Sequence, residues 1–475
     1  MVMGEYSQDT EVLIIGGGPA GYAAAFRAAD LGLDVTMINK EERPGGVCLF
    51  RGCIPSKTLL YAAGLIQETR RAEQMGLVFS APETDLDKLR DFKNQAIDKL
   101  TGGLKQLTDQ RKIQYINARV VFEDADTVRL LDTESEISRF TFKHAILATG
   151  ALPVPLPGTE FSEGGRIMNY KDALDLPDIP GRLLVVGGGY IGLELGSVYA
   201  ALGSEVTLVE MADTLLPGVD RDLYKKLESE LKNLFGAIHT HTSVAKLEEG
   251  SDQVKATFEG RIEEKEQEFD RVLVAIGVRP NTENIGIENT GIELDDNGFV
   301  KVDEQRRTTN EKIFAAGDIA GGALLAHKGF HEGRVAAEAI AGQPAAFDAR
   351  AVPFVIYTHP EIAWAGLTET AAKEEGREIR VARYPWSASG RAVGMGASEG
   401  VTKIIADPES GRILGVGIAG KHAGELIVEG VLAMEMGAVA EDLALTIHPH
   451  PTFSETLGEA AQLLYGSPTH IMPKK

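Results

Sequence analysis

The sequence predicts an α/β protein: two Rossmann-like domains followed by a C-terminal α+β domain. Three observations carry this. A strand, a glycine turn, a helix and a second strand open the chain, with Gly16-x-Gly18-x-x-Gly21 at the turn. The same arrangement recurs about 170 residues later as Gly187-x-Gly189-x-x-Gly192. From about Phe347 the pattern changes to short strand-like runs and then helices.

Each element follows in order. Residues 11–15 read as a buried strand, 20–31 as an Ala-rich helix and 34–39 as the next strand, which together make a βαβ unit. Residues 85–112 read as a long amphipathic helix with many charges. A Pro-rich stretch at 152–158 reads as an inter-domain linker. The second βαβ unit has strands at 182–186 and 205–210 and a helix ending near Leu202. Beyond it, strands are expected at 354–358, 379–384 and 401–406, and helices at 423–436 and 454–464.

Composition narrows the function classes. With 475 residues the chain is too long for one core, so about two to four domains are expected. The net charge of −22 argues against nucleic acid, whose phosphates need a basic face, and against anionic membranes. Residues 1–10 are polar and show no signal peptide, and no apolar run reaches the length of a membrane span. A cytoplasmic location is expected.

Each glycine of the two turns has a task. The first permits the tight turn, the second lets a pyrophosphate approach the backbone, and the third lets the helix pack on the strand. The helix N-terminus then favours the anion. In the second unit Glu210 stands 23 residues after Gly187, where a carboxylate can accept both ribose hydroxyls. Nothing basic follows at 211–216 to meet a 2′-phosphate, so NAD is favoured over NADP. The same count from Gly16 ends on Asn39, an amide without the charge of an acid. It reads as a tolerated substitution, or else as altered adenosine binding.

The chain has two cysteines, Cys48 and Cys53. So short a loop adds little stability as a staple, and a close pair in a reducing compartment points to catalysis or metal binding. Zinc would need two more ligands, and none lies in sequence reach. The run after Cys53 reads as a helix over 56–68, whose N-terminus would lower the pKa of a nearby thiol.

The stretch Gly45-Gly46-Val47-Cys48-Leu49-Phe50-Arg51-Gly52-Cys53-Ile54-Pro55-Ser56-Lys57 resembles the active site of the pyridine nucleotide-disulfide oxidoreductases. Within that family, Gly-Cys-Ile-Pro-Ser-Lys resembles the dihydrolipoamide dehydrogenase branch more than the glutathione reductases. The resemblance extends from Glu11 to about Leu464. It implies FAD at the first glycine turn, NAD at the second, and a homodimer built by the C-terminal domain. The implied division is residues 1–150 for FAD, 151–280 for NAD, 281–350 returning to the FAD domain, and 351–475 for the dimer interface.

The implied reaction is oxidation of protein-bound dihydrolipoyl groups to the lipoyl disulfide, with electrons passing by way of the cysteines and FAD to NAD+. Cys48 takes the role of interchange thiol and Cys53 that of charge-transfer thiol. His450, in His448-Pro449-His450-Pro451-Thr452, matches the acid-base catalyst, and Glu455 matches the carboxylate that fixes its tautomer. His448 reads as support for that loop. Asp318, after Ala315-Ala316-Gly317, matches the acid on the ribityl chain, against a plain reading as a helix N-cap. Ala326 matches a flavin-side helix start, and Gly150 and Gly277 match turns that close the nucleotide domains. Lys57 and Glu194 match an ion pair near the flavin, against a solvated surface pair.

The rivals are an NAD(P)H-dependent reductase of another disulfide and a flavoprotein subunit without turnover. The absence of a third cysteine opposes mercuric and high-molecular-weight thioredoxin reductases. Two departures stand out: Asn39 where an acid is usual, and Phe50-Arg51 where a small polar and an aliphatic residue are common. Arg51 has three readings: lowering a cysteine pKa, contacting substrate, or pointing into solvent.

Overall fold

The computed structural model describes residues 6–466 and 468–472. Three large sheets organise them, with two smaller ones beside the second. The first sheet has five parallel strands: Gln114–Asn117, Val35–Asn39, Tyr6–Ile15, Ile137–Leu147 and Ile313–Ala315. Their inner segments are continuous apolar runs, such as Val12, Leu13, Ile14 and Ile15, because both faces are covered. Two antiparallel strands, Arg119–Phe122 and Thr127–Leu131, extend the sheet. Helix Pro19–Asp30 packs on helix Ala326–Ile340 so closely that a Cβ on Gly333 would lie 2.2 Å from the Ala20 carbonyl oxygen. Residues 313–340 thus rejoin the first sheet after a long excursion.

That excursion is the second body. Five parallel strands run in the order Ala237–His239, Glu205–Val209, Arg182–Val186, Arg271–Val274, Ile167–Met168. A three-stranded antiparallel sheet, Thr242–Glu249, Val254–Gly260 and Glu266–Phe269, lies beside it. The chain enters through Ala151–Pro153 and leaves through Val278–Pro280, and these two short strands pair antiparallel. Gly150 (φ +75°) and Gly277 (φ +131°) sit at the start of this ribbon, in backbone regions that favour glycine.

The third body is a five-stranded antiparallel sheet in the order Phe354–Ile356, Glu361–Gly366, Ile413–Gly420, Val401–Ala406, Arg380–Pro385. Helices Ala423–Glu435 and Glu455–Leu464 cover it. Lys403, buried in this sheet, donates to Asp220 (2.6 Å), Asp222 (2.8 Å) and Glu369 (2.9 Å). The three carboxylates cluster as metal ligands would, but the ammonium occupies the centre and ties the second body to the third.

Several boundaries differ from expectation. The first strand begins at Tyr6, not Glu11, because Ser7–Thr10 pair by backbone with residues 139–142 and need no apolar pattern. Residues 1–5 of the expected polar tail lie outside the described residues. The helix after the cysteines begins at Cys53 itself and runs to Arg71, not 56–68, and a separate short helix, Gly46–Arg51, carries Cys48. The Pro-rich stretch at 152–158 contributes a strand of the ribbon before it becomes turns. Among the described residues no helix is long and apolar enough to cross a membrane.

Candidate active site

A cavity opens at the carboxyl ends of the first sheet's strands, where open α/β sheets bind ligands. The first glycine turn forms its floor. Gly16 has φ +105°, and a Cβ on Gly21 would lie 1.9 Å from the Gly16 carbonyl oxygen. Gly46 has φ +60°, and a Cβ there would lie 2.4 Å from the Gly18 Cα, so the cysteine segment rests directly on the turn. Helix Pro19–Asp30 has Gly18 as N-cap and no side-chain cap. Its first-turn N–H groups are left for an anion. Gly187 (φ +107°), Gly189 and Gly192 repeat this geometry for helix Tyr190–Leu202, also without a side-chain cap.

The residues that end the second strands serve these turns directly. Asn39 Oδ1 accepts from the Gly17 N–H at 3.1 Å, and Glu210 accepts from the Gly188 N–H at 2.7 Å. Glu210 stands one residue beyond its strand, not inside it, and its other oxygen accepts from the Ala212 N–H at 2.7 Å. Each can still accept a ribose hydroxyl through a remaining lone pair, and the carboxylate has more of these than the amide.

Cys48 and Cys53 face one another on the wall above. The neighbouring Cys53 sulfur pushes the Cys48 pKa up, and burial pushes it further. The Cys48 thiol beside it lowers the pKa of Cys53 against the pull of burial, and Lys57 lowers it further. Cys53 is also the first residue of its helix, where the dipole favours a thiolate. Lys57 Nζ donates to Glu194 at 2.7 Å, and the Tyr357 N–H donates to the other oxygen of Glu194 at 2.9 Å. Glu194 is buried and Lys57 partly so, which excludes a solvated surface pair. Arg51 does not contact the thiols or point freely to solvent: it forks onto the Glu41 carboxylate at 2.6 and 3.4 Å.

Asp318 lines the same cavity, and burial raises its pKa. Its carboxylate accepts no hydrogen bond among the described residues, so a half-buried acceptor faces the cavity unpartnered. A ribityl hydroxyl would satisfy it, and the bare helix N-terminus would take a diphosphate, so these residues fit FAD. Glu332, fully buried, holds this segment: it accepts from Arg306 (2.9 Å), Lys328 (2.9 Å) and the Gly317 N–H (2.8 Å). Ala326 is the first residue of the helix that bears Lys328 and Glu332, and it too lines the cavity.

His450 lies apart. Its Nδ1–H donates to Glu455 at 2.8 Å, and the Thr452 N–H donates to the second oxygen of Glu455 at 2.7 Å. Burial pushes Glu455 up, but the Thr452 N–H and His450 outweigh it and the pKa falls, so the carboxylate stays charged. Nε2 is thereby left as the acceptor, and the His450 side chain is 70 % exposed. It does not line the cavity that holds the cysteines. Around it and on the adjoining helix, Val428, Leu432, Met436, Leu445 and Ile447 are exposed. The structure therefore brings Cys48, Cys53, Lys57, Glu194, Asp318 and the first glycine turn around one cavity, which the helix after the second turn reaches through Tyr190 and Glu194, and leaves His450–Glu455 on an apolar outer face.

Sequence reasoning missed Glu332, Glu429, Tyr357 and Tyr190, the last of which lines the cavity at the start of the second nucleotide helix. Signals existed for Glu332, four residues after Lys328 on a helix, and for Tyr190, which stands inside the second glycine motif. Glu429, which bonds His448, and Tyr357 come from segments distant from the residues they serve.

Comparison with known proteins gives a consistent outcome. The pyridine nucleotide-disulphide oxidoreductase profile matches residues 10–333, and its dimerisation domain matches 352–461. A Vibrio cholerae protein named dihydrolipoyl dehydrogenase is 45% identical over 462 residues, covering 97% of each chain. One of the same name from Bacillus subtilis is 43% identical over 473 residues, covering 99% of this chain and 100% of its own. Among solved structures, LpdA from Mycobacterium tuberculosis superposes with a TM-score of 0.88 at 28% identity, covering 96% of this chain and 99% of its own. The HOCl-induced flavoprotein disulfide reductase RclA from Escherichia coli gives 0.84 at 28% identity, covering 96% and 100%.

Proposed function

The chain belongs to the pyridine nucleotide-disulphide oxidoreductase family, and from that premise we propose that it oxidises a dihydrolipoyl dithiol to the lipoyl disulfide with NAD+ as acceptor. The observation that carries this reading is the opposed pair of thiols. Cys48 holds its proton, while Cys53 is stabilised as a thiolate at a helix N-terminus inside a dinucleotide cavity. Bound FAD supplies electron transfer between that pair and NAD+.

The chain's own residues account for the rest. In the oxidised enzyme Cys48 and Cys53 form a disulfide. His450 Nε2, left as an acceptor by the Nδ1 bond to Glu455, takes a proton from one substrate thiol. The resulting thiolate attacks the Cys48 sulfur. A mixed disulfide forms, and the Cys48–Cys53 bond breaks with Cys53 leaving as a thiolate. The low pKa of Cys53 makes it the better leaving group. The second substrate thiol then attacks the sulfur of its own chain, closes the lipoyl disulfide and expels Cys48, which takes up the proton of that second thiol while His450 keeps the first. The dithiol is oxidised and the cysteine pair reduced by the same two electrons.

The dimerisation-domain match supports a homodimer. We assign His450 to the active site of the partner subunit, because it lies outside its own chain's cysteine cavity and on an apolar face. Glu210 supports NAD over NADP, since its carboxylate beside the second glycine turn repels a 2′-phosphate. We propose a lipoyl-bearing protein as the partner and the cytoplasm as the location.

The test is NADH formation by the flavin-loaded dimer from dihydrolipoamide and NAD+, compared with NADP+ and with glutathione disulfide plus NADPH. Rapid turnover only in the first assay, abolished by Cys48→Ser, is expected. Turnover with glutathione disulfide instead would overturn the substrate assignment.

A further inference from the structure

The two departures noted in the sequence, Asn39 and Arg51, belong to one bonded set. The Asn39 amide N–H groups face the Tyr115 hydroxyl (3.1 Å) and the Glu41 carbonyl oxygen (3.5 Å). Tyr115 donates to that same carbonyl at 2.7 Å. The Glu41 carboxylate takes the Arg51 fork. Asn39 is therefore committed to protein on both sides of its amide, since its oxygen already serves Gly17. It has a single lone pair left for a ribose and no charge, where an acid would offer more of both.

Charge is gathered elsewhere. Lys40, Arg51 and Lys171 all line the FAD cavity, with Glu41 the only carboxylate paired among them. Burial lowers the pKa of Lys171, and repulsion from Lys40 and Arg51 lowers it further, against the pull of Asp172 and Glu41. Among the described residues, neither Lys40 nor Lys171 has an ion-pair partner. Lys171 stands on helix Tyr170–Asp175 of the second body, while Arg51 stands on the cysteine segment of the first. Three cations are thus brought from two bodies to one half-buried wall where, among the described residues, only Arg51 is paired, so the two lysines can meet an anion placed between them.

We infer that Arg51, oriented by Glu41, acts with Lys40 and Lys171 as an electrostatic clasp that retains the flavin diphosphate where the uncharged Asn39 grips the adenosine weakly. The inference rests on the FAD reading of the cavity. It gives Arg51 a role in holding the cofactor rather than in meeting the substrate. A guanidinium offers a two-pronged donor that the Glu41 bond fixes in place, so little freedom is lost when an anion arrives.

The experiment follows flavin release, not turnover. Holoenzyme is diluted into a series of potassium chloride concentrations, and the rise in free flavin fluorescence gives the release rate. Arg51→Gln and Lys171→Gln are each expected to speed release about tenfold at low salt, and to weaken its salt dependence. Arg51→Lys, which keeps the charge but not the fork, should fall between wild type and Arg51→Gln. Unchanged release together with a raised KM for dihydrolipoamide would overturn the clasp and move Arg51 to the substrate mouth. Unchanged release and unchanged KM would overturn it too, leaving a surface ion pair only. Wild-type protein that binds no flavin at all would show instead that the cofactor reading itself is wrong.

Discussion

Both ring nitrogens of His448 face acceptors: Nδ1 meets the Thr446 carbonyl at 3.0 Å and Nε2 meets Glu429 at 2.7 Å. Neither partner can donate, so the ring carries two protons and a charge. The Glu429 bond raises its pKa above the ordinary 6.5, against burial. A raised folded-state pKa stabilises fully below the unfolded value, and the gain is lost as pH climbs through the folded one. His448→Gln should therefore lower the melting temperature by a few degrees below about pH 6, with the deficit shrinking at higher pH. Melting curves of both proteins from pH 5 to 9 check this, and a deficit constant across the range would mean a neutral ring. His450 is two residues away, so kcat should fall with the melting temperature while the KM for NAD+ stays unchanged.

At the scale of elements, the Gly317–Asp318 turn and helix Ala326–Ile340 are locked by Glu332, whose two oxygens serve Arg306, Lys328 and a backbone N–H. Glu332→Gln would leave two cations in a buried site without their counter-charge. A loss of about 3–5 kcal/mol is expected, read as a lower denaturant midpoint, with flavin released before the helical signal is lost. The lock was only half legible in the sequence. Lys328 and Glu332 share a helix face, but Arg306 and Gly317 come from other segments. The strand Arg182–Val186 was legible to the residue, because burial on both faces leaves an apolar run after Arg182, and Val401–Ala406 was legible from its β-branched residues although Thr402 and Lys403 interrupt the run. Residues 6–10 were not, since their pairing is a backbone matter. The cysteine loop, both glycine turns and the His450–Glu455 spacing could be read directly, because each is a local pattern. What Arg51 touches could not, because Glu41 precedes the loop and the contact depends on how the chain turns back.

At the scale of the molecule, the cavity around the thiols is lined by residues of one chain, and His450 is not among those lining it. Mixing tests this directly. Cys48→Ser and His450→Gln homodimers should each be nearly inactive, while unfolding and refolding them together makes mixed dimers with one intact site. Random association predicts recovery of about a quarter of wild-type activity, and no recovery would place both groups in the same subunit. The paired strands Ala151–Pro153 and Val278–Pro280 carry a further meaning. Entry and exit of the second body lie side by side, so the chain path joins it to the rest through a single stalk, whatever side-chain contacts such as those of Lys403 and Glu194 add. The unit is a cassette: its ends already meet, and a short turn could close the gap it would leave. A change of nicotinamide preference can therefore arise by exchange or drift inside the cassette, while the flavin site and the subunit contact keep their chain order undisturbed.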